Sequence, residues 1–338
     1  MAIYDYPSSA DLRTVAQVLI PNLTKNRVAF QLMPLEESNT SMVIWEQMDD
    51  YRGLQNIRGM DGAPGRVANV GGKRYSMKPG VYGDFTTVDE MELTERRQFG
   101  TFGQPVKIGD LVQNRQNLLL GRELNVIETN IWTLLTTGSY AVANPAGQTL
   151  ITDTFPIQTF TAGTPWATSA TATPLANFRA IQTSGPAVST DFGPGAVAYM
   201  NRFTYNYLIT NSNTADLYGR RAQGLATINN LKELNQLLTG DNLPTIQLYD
   251  KGFENDSGSY VRFIPTGKVV VVGARDDASV IGKYMLTRNA NNPDSSPGSF
   301  SKVIDKGEDT VPRTIEVHRG HNGGPAIYFP GSVYAMNV

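Results

Sequence analysis

Cysteine is absent from this chain, and charged residues are scarce. Without cysteine among 338 residues, disulfide bonds, thiolate zinc sites and a cysteine nucleophile are excluded. Charged residues make up 18% of the chain and leave a formal net charge of -2, so the overall charge indicates neither a nucleic acid nor a membrane surface as partner. No window approaches the roughly 18 consecutive apolar residues of a membrane span, and the start resembles no signal peptide. These absences predict a soluble protein made in a reducing cytoplasm.

The motifs of common enzymes are missing as well. The two histidines, His318 and His321, stand in the Gly-rich run HRGHNGG, whereas a zinc protease needs H-E-x-x-H on one helical face. We therefore predict a loop or surface role for both. The run 71–73 resembles the end of a phosphate-binding loop, but Val67 stands where that motif needs glycine and Arg74 replaces its Ser or Thr. The sequence predicts no catalytic residues, no cofactor and no metal, and hence a protein that is not an enzyme.

The composition instead favours a turn-rich α+β chain, with 32 Gly and 19 Pro. Its most regular stretch is 243–274. There 246–249 and 261–263 alternate in the period of a half-buried strand, and 255–258 is a turn of Asn, Asp, Ser and Gly, which predicts a hairpin. The four valines of 269–272 are apolar on both faces and predict a covered strand.

The N-terminal part lacks the pattern of an independent core. Residues 1–40 are interpreted as an arm, with a helix over 10–20 that Pro21 ends. A strand begins in 41–50 and a return strand follows in 73–88. The long Gly-rich loop between them cannot pack a core of its own, and loops of this length are usually functional.

A long helix follows, predicted from an N-cap at Asp110 to Gly138, or ~43 Å at 1.5 Å per residue. Gly121 in its interior suggests a bend or a close backbone approach. Further along, the patterns predict helices at 174–185, 202–210 and 228–238 and strands at 195–201, 300–304, 314–317, 327–329 and 333–338.

Charge between residues 52 and 95 is sorted by sign. The basic loop comprises Arg52, Arg58, Arg66, Lys73, Arg74 and Lys78, and the acidic segment comprises Asp84, Asp89, Glu90, Glu92 and Glu95. One interpretation is two solvated runs of charge, since exposed pairs contribute only ~0 to 1 kcal/mol each. The other is that the basic loop of one copy lies on the acidic segment of a neighbouring copy, where the charges set register and partner choice.

The order of these parts resembles that of a known family. An arm, a basic loop between two strands, a long helix, a mixed domain and terminal strands follow one another as in the HK97-type major capsid proteins of tailed bacteriophages, in the lambda-like branch called major capsid protein E. The resemblance is carried by GPGAVAYMNRFTYNYL at 193–208, LPTIQLYDKGFENDSGSYVRFIPTGKVVVVGA at 243–274 and PAIYFPGSVYAMNV at 325–338.

The resemblance implies an HK97-like capsid fold and a division of the chain. The implied segments are an N-terminal arm (1–40), an extended E-loop with its strands (41–95), a P-domain with the spine helix (96–145), an A-domain (146–242), P-domain strands (243–274), and A-domain with terminal strands (275–338). Because the chain starts directly at the arm, we expect scaffolding to come from a separate protein.

The function implied is that of a shell protein. Copies would self-assemble as pentamers and hexamers into an icosahedral head around packaged double-stranded DNA, assembled in the host cytoplasm and located in the virion. The implied partners are other copies, a scaffolding protein, a portal and a decoration protein, with nonspecific contact to DNA and none to a membrane. Two alternatives stay open: an encapsulin-like nanocompartment shell, and a soluble β-rich hydrolase acting through Asp and Glu alone.

Overall fold

A computed structural model of the chain describes residues 7–48, 54–67, 72–95, 107–143, 149–184, 190–215, 230–275, 280–306 and 311–338. The helices are α1 (Ser9–Thr24), α2 (Val28–Leu32), α3 (Glu90–Glu95), α4 (Ile108–Thr137), α5 (Pro174–Ser184), α6 (Arg202–Thr210) and α7 (Leu231–Gly240). The strands are β1 (Leu35–Glu37), β2 (Val43–Met48), β3 (Gly72–Met77), β4 (Gly80–Asp89), β5 (Ser139–Ala143), β6 (Thr149–Thr154), β7 (Gln158–Thr161), β8 (Thr190–Asp191), β9 (Val197–Met200), β10 (Thr245–Leu248), β11 (Gly252–Glu254), β12 (Tyr260–Arg262), β13 (Lys268–Val272), β14 (Ala274–Arg275), β15 (Gly282–Leu286), β16 (Phe300–Asp305), β17 (Thr314–Ile327) and β18 (Val333–Asn337).

The first large sheet is built around β17. This strand pairs antiparallel with β16 and β15 on one side and with β4 on the other, and β1 adds to β15 in parallel. Helix α4 packs chiefly on β17. Its residues Leu120, Leu124 and Ile127 are buried in the largest apolar core, as their three- and four-residue spacing predicts.

The second large sheet has the order β10-β9-β13-β18-β7. The valine strand β13 pairs with β9 and β18 of the same subunit, and Val269, Val270 and Val271 are fully buried, which confirms the prediction of a covered strand. Helices α5, α6 and α7 contribute Phe178, Leu208 and other apolar side chains to a core on this sheet. Strands β10 and β13 of segment 243–274 thus lie in the second sheet, and the assignment of that segment to a domain stays a prediction.

The hairpin predicted within this segment is displaced along the chain. Strand β10 pairs in parallel with β9, and the hairpin is formed by β11 and β12, with Phe253 opposite Val261. Pairing 246–249 with 261–263 was therefore wrong, because Ile246 is buried in the second core. The predicted turn is confirmed: the Asn255 side chain accepts a hydrogen bond from the Ser259 amide at 2.8 Å.

The arm packs on its own subunit. Leu12 and Met33 are buried, and β1 pairs with β15. The predicted end of the first helix at Pro21 was wrong, since α1 continues through this proline to Thr24. Proline removes one backbone donor, and the Thr24 hydroxyl donates to the Ile20 carbonyl at 2.8 Å in the following turn.

The long helix is close to its prediction. It spans 30 residues, and Gly138 ends it in the left-handed conformation at φ 72°. Its N-cap is Lys107, so the prediction of Asp110 as the cap was wrong; Asp110 lies in the first turn instead, where a carboxylate favours the helix dipole. Gly121 marks no close approach, because an added Cβ there would have no neighbour within 4 Å outside the helix's own backbone.

Strand β17 is the largest departure from the sequence-based expectation. The run HRGHNGG was predicted as a loop, but it forms the middle of a 14-residue strand. No separate strand forms at 327–329, because β17 itself extends to Ile327. The physical reason at Gly320 is close packing that only glycine permits, because a Cβ there would lie 2.2 Å from the Tyr82 carbonyl oxygen. At Gly324 an added Cβ would lie 2.4 Å from Met77 Cε, the end of a flexible side chain that can move aside.

We expect Gly320→Ala to lower the free energy of unfolding by about 1 to 3 kcal/mol, because the new methyl group must displace the backbone of β4. Gly121→Ala is the matched control. It adds the same methyl group where space is open and should stabilise the helix by up to about 1 kcal/mol. Chemical denaturation of the unassembled subunit measures both changes, and equal effects of the two substitutions would contradict this account.

Candidate subunit interface

The basic loop is a long hairpin whose base packs in the core and whose outer part is exposed. Strands β2 and β3 pair antiparallel from Val43 opposite Met77 onward. Val43, Trp45 and Met77 are buried in the largest core, and Trp45 stacks on Tyr75 with ring centroids 5.5 Å apart. Every residue of 54–67, by contrast, is exposed. The fold therefore holds the loop at its base and leaves its outer part without a core, as predicted.

The outer part has a defined turn and unusual exposed apolar side chains. The Gly62 amide donates to the Gly59 carbonyl at 3.0 Å, and the Arg58 guanidinium donates to the Gly62 carbonyl at 3.1 Å. Leu54 is 96% exposed and Ile57 is completely exposed. Since burying an aliphatic side chain is favourable by about 1.5 to 3 kcal/mol, such exposure indicates a surface for a partner.

The basic side chains of this loop point to solvent. Arg58, Arg66, Lys73, Arg74 and Lys78 are all exposed, and no carboxylate of the described ranges forms an ion pair with any of them. Arg52, the remaining member of the predicted set, lies outside the described residues. The positive charge of the loop is therefore available to another molecule.

The acidic segment divides into two groups. Asp84 is held by the Arg122 guanidinium at 2.8 Å, and Glu92 accepts two hydrogen bonds from Arg115 at 2.6 and 2.7 Å. These two carboxylates have partners within the subunit, which the sequence did not predict.

The other three carboxylates, Asp89, Glu90 and Glu95, are exposed and form no ion pair with any cation of the described part of the chain. They line an open groove of about 540 Å³ together with Met91 and Pro312. The groove lies where β4 passes into α3, beside the start of β17.

A buried polar cluster beneath α4 escaped prediction. Glu123 of α4 accepts hydrogen bonds from the Arg319 guanidinium and from the Ser299 hydroxyl, and Nδ1 of His321 lies 3.3 Å from its Oε1. Burial alone would raise the pKa of Glu123, but His321, Arg319 and Ser299 outweigh it and lower that pKa to about 2. The Glu123 carboxylate therefore stays ionised, and the positive charge of Arg319 compensates its negative charge.

Tyrosines extend the cluster across the first sheet. The Tyr284 hydroxyl lies 3.2 Å from His321 Nε2, and the ring of Tyr82 stacks on His321 with centroids 5.0 Å apart. Burial raises the pKa of Tyr284 well above its usual value. The prediction of a loop or surface role is wrong for His321, which is completely buried on β17, and His318 stands half-buried on the same strand. A signal for the cluster existed in Glu123, a charged residue between Leu120 and Leu124 on the apolar face.

A second buried carboxylate ties the arm to the long helix. Glu128 is completely buried, and its Oε2 lies 3.0 Å from the Arg27 guanidinium, while the Tyr249 hydroxyl donates to its Oε1. Arg27 also donates to the Asn125 side chain at 2.9 Å. Each of the two buried carboxylates is bound to an arginine, so both act as structural ties between elements.

Neither of two common kinds of site is found. Across the described ranges, no group of three or more His, Asp or Glu side chains could hold a metal ion. Among the helices described above, none has both the length and the apolar character needed to cross a membrane.

The comparisons with known proteins agree with this geometry. The sequence model of the family described as phage major capsid protein E matches residues 21–306. No curated protein sequence matches the chain significantly.

Solved structures share the fold over nearly the whole chain. A protein described as a prophage capsid protein of Escherichia coli CFT073 is 14% identical with a TM-score of 0.54, and the match covers 96% of this chain and 98% of the other. A phage-related protein from Bordetella bronchiseptica RB50 is 10% identical with a TM-score of 0.54, over 98% of this chain and 97% of the other. The capsid of a native GTA particle is 10% identical with a TM-score of 0.51, over 90% and 88%. At such identities the likeness shows the HK97-type capsid fold.

Proposed function

Because this chain belongs to the phage major capsid protein E family, a family of structural shell proteins, we propose that its copies assemble as pentamers and hexamers into the icosahedral head that encloses packaged double-stranded DNA. The observation that carries this proposal is the family match over residues 21–306. The chain is a structural capsid protein of the virion. The nanocompartment shell and the hydrolase are not favoured by the family.

The contact between copies is assigned to the sorted charges. In this proposal Arg58, Arg66, Lys73, Arg74 and Lys78 of one subunit face the acidic segment of its neighbour. The acidic side rests on Asp89, Glu90 and Glu95, since Asp84 and Glu92 are already bound to arginines of their own subunit. Exposed charges of opposite sign set the register and the choice of partner more than the affinity.

The remaining parts of the proposal follow from the family. Residues 1–40 serve as the arm, 41–95 as the E-loop, 96–145 and 243–274 as the P-domain, and the other two segments as the A-domain. Assembly takes place in the host cytoplasm with a separate scaffolding protein, a portal and a decoration protein as partners. The shell contacts DNA without sequence preference and catalyses no reaction.

Electron microscopy of the expressed, unmodified chain tests the proposed function. We expect closed shells, or pentamers and hexamers on the way to them, because the exposed loop has no partner within the described parts of its own subunit. The same preparation after treatment with nuclease is the control for particles held together by nucleic acid. A compact monomer that persists at high protein concentration would contradict the proposal.

A further inference from the structure

We propose that the outer part of the basic loop, residues 54–67 of one copy, docks in the groove beside α3 of a second copy, with Ile57 against Met91 and Pro312. This inference rests on the proposed function and adds to it the docking point and an apolar contact. The sorted charges alone indicated a pairing of two charged runs.

The groove is lined by both acidic and apolar side chains. Asp89, Glu90 and Glu95 line it together with Pro312 and with Met91, which is 69% exposed. Two described arginines near the groove are engaged by other carboxylates: Arg313 binds Asp305 at 2.7 Å, and Arg115 binds Glu92. Arg96 and Arg97, which follow Glu95, lie outside the described residues. Within the described residues, the groove therefore presents three carboxylates without an ion pair beside an accessible apolar surface.

The loop has the complementary character. Ile57 is fully exposed and is followed directly by Arg58, while Arg66 lies on the returning segment of the same loop. The outgoing and returning segments are close there, since a Cβ on Gly65 would lie 2.7 Å from the Asn56 side chain. The outer part of the loop thus carries a fully exposed aliphatic side chain, with Arg58 next to it in the sequence and Arg66 on the adjacent returning segment.

The occupant is a second copy of the chain for two reasons. The charges of loop and groove are opposite, and both surfaces carry exposed aliphatic side chains that no described contact covers. Burial of a fully exposed aliphatic side chain contributes more to affinity than an exposed ion pair does. In the docked pair the Ile57–Met91 contact supplies affinity, and the arginines and carboxylates fix its register.

The absence of cysteine permits a direct test. In the full chain carrying Ile57→Cys and Met91→Cys, mild oxidation of assembled particles should convert most of the monomer band into a ladder on a non-reducing denaturing gel. The control pairs Ile57→Cys with Phe203→Cys, an exposed side chain on α6 at the second core, and should stay monomeric.

The outcomes separate this inference from the proposed function. Shells without a ladder beyond the control, or a cross-link confined within single chains, overturn the docking alone. Absence of shells from the unmodified chain overturns both.

If the double cysteine variant does not assemble, a charge exchange decides. Arg58→Glu with Arg66→Glu, and Glu90→Arg with Glu95→Arg, should each abolish shells, and the four changes together should restore them. Failure of the combined variant to assemble would overturn the docking.

Discussion

A subunit in which Arg66, Lys73 and Arg74 are all replaced by glutamate should remain folded and yet form no shell. These side chains are exposed and bind no carboxylate of the described residues, so their replacement should change the free energy of unfolding by no more than about 0.5 kcal/mol each. Across the proposed contact, however, attraction becomes repulsion, and juxtaposed like charges cost several kcal/mol. Because every contact in a shell repeats the change, assembly should be lost rather than weakened.

The measurement has two parts. Circular dichroism and thermal unfolding report the fold of the subunit, while size-exclusion chromatography and electron microscopy report assembly. The matched control reverses Lys25, Lys232 and Lys302 to glutamate, which changes the net charge by the same amount at exposed sites outside the loop. We expect this control to assemble. Normal shells from the loop variant would refute the assignment of the contact to the basic loop.

Local patterns predicted the elements whose signals lie within a few residues. Gly138 ends α4 because a left-handed residue is needed there, and the Asn255 turn closes with hydrogen bonds to its own backbone. Proline is favoured at the first position of a helix, and Pro174 is where the predicted helix and α5 both begin. Each of these features is decided by one or two residues, and packing elsewhere does not override it.

Elements decided by distant partners were not predictable in this way. Gly320 and Gly324 indicate a loop when only neighbours along the chain are considered, but Gly320 is required where the backbone of Tyr82 approaches β17. Similarly, the alternation at 246–249 predicts a strand but does not indicate which strand pairs with it, and that partner is β9. A single sequence contains no signal for either contact.

At the candidate interface, too, local features could be predicted and contacts between distant residues could not. The sorted charges are a local pattern, and their exposure in the loop was predicted. That Asp84 binds Arg122 was not predicted, because the two residues meet only when α4 packs against β4. The buried cluster around Glu123 had one local signal, a charge on an apolar helix face. Its partners Arg319 and His321 lie about two hundred residues away in the chain, so only the fold identifies them.

Replacement of Arg319 by methionine should lower the free energy of unfolding of the subunit by about 3 to 5 kcal/mol. The side chains of Arg319 and Glu123 are only 2% and 5% exposed, so the substitution leaves a buried carboxylate without its main counter-charge. That carboxylate must then remain charged while buried without an arginine partner or take up a proton, and both are unfavourable. Denaturant unfolding of the unassembled subunit at neutral pH measures the loss.

Two further variants establish that the buried charge, rather than lost packing, is responsible. Arg122→Met removes the same guanidinium group from the pair with Asp84, whose side chains are 52% and 50% exposed, and should cost no more than about 1 kcal/mol. Adding Glu123→Gln to Arg319→Met removes the stranded charge and should recover much of the stability, since a neutral amide is easier to bury than a carboxylate. If Arg319→Met were no more destabilising than Arg122→Met, or if Glu123→Gln made it worse, the ion pair could not be the tie that holds α4 to β17.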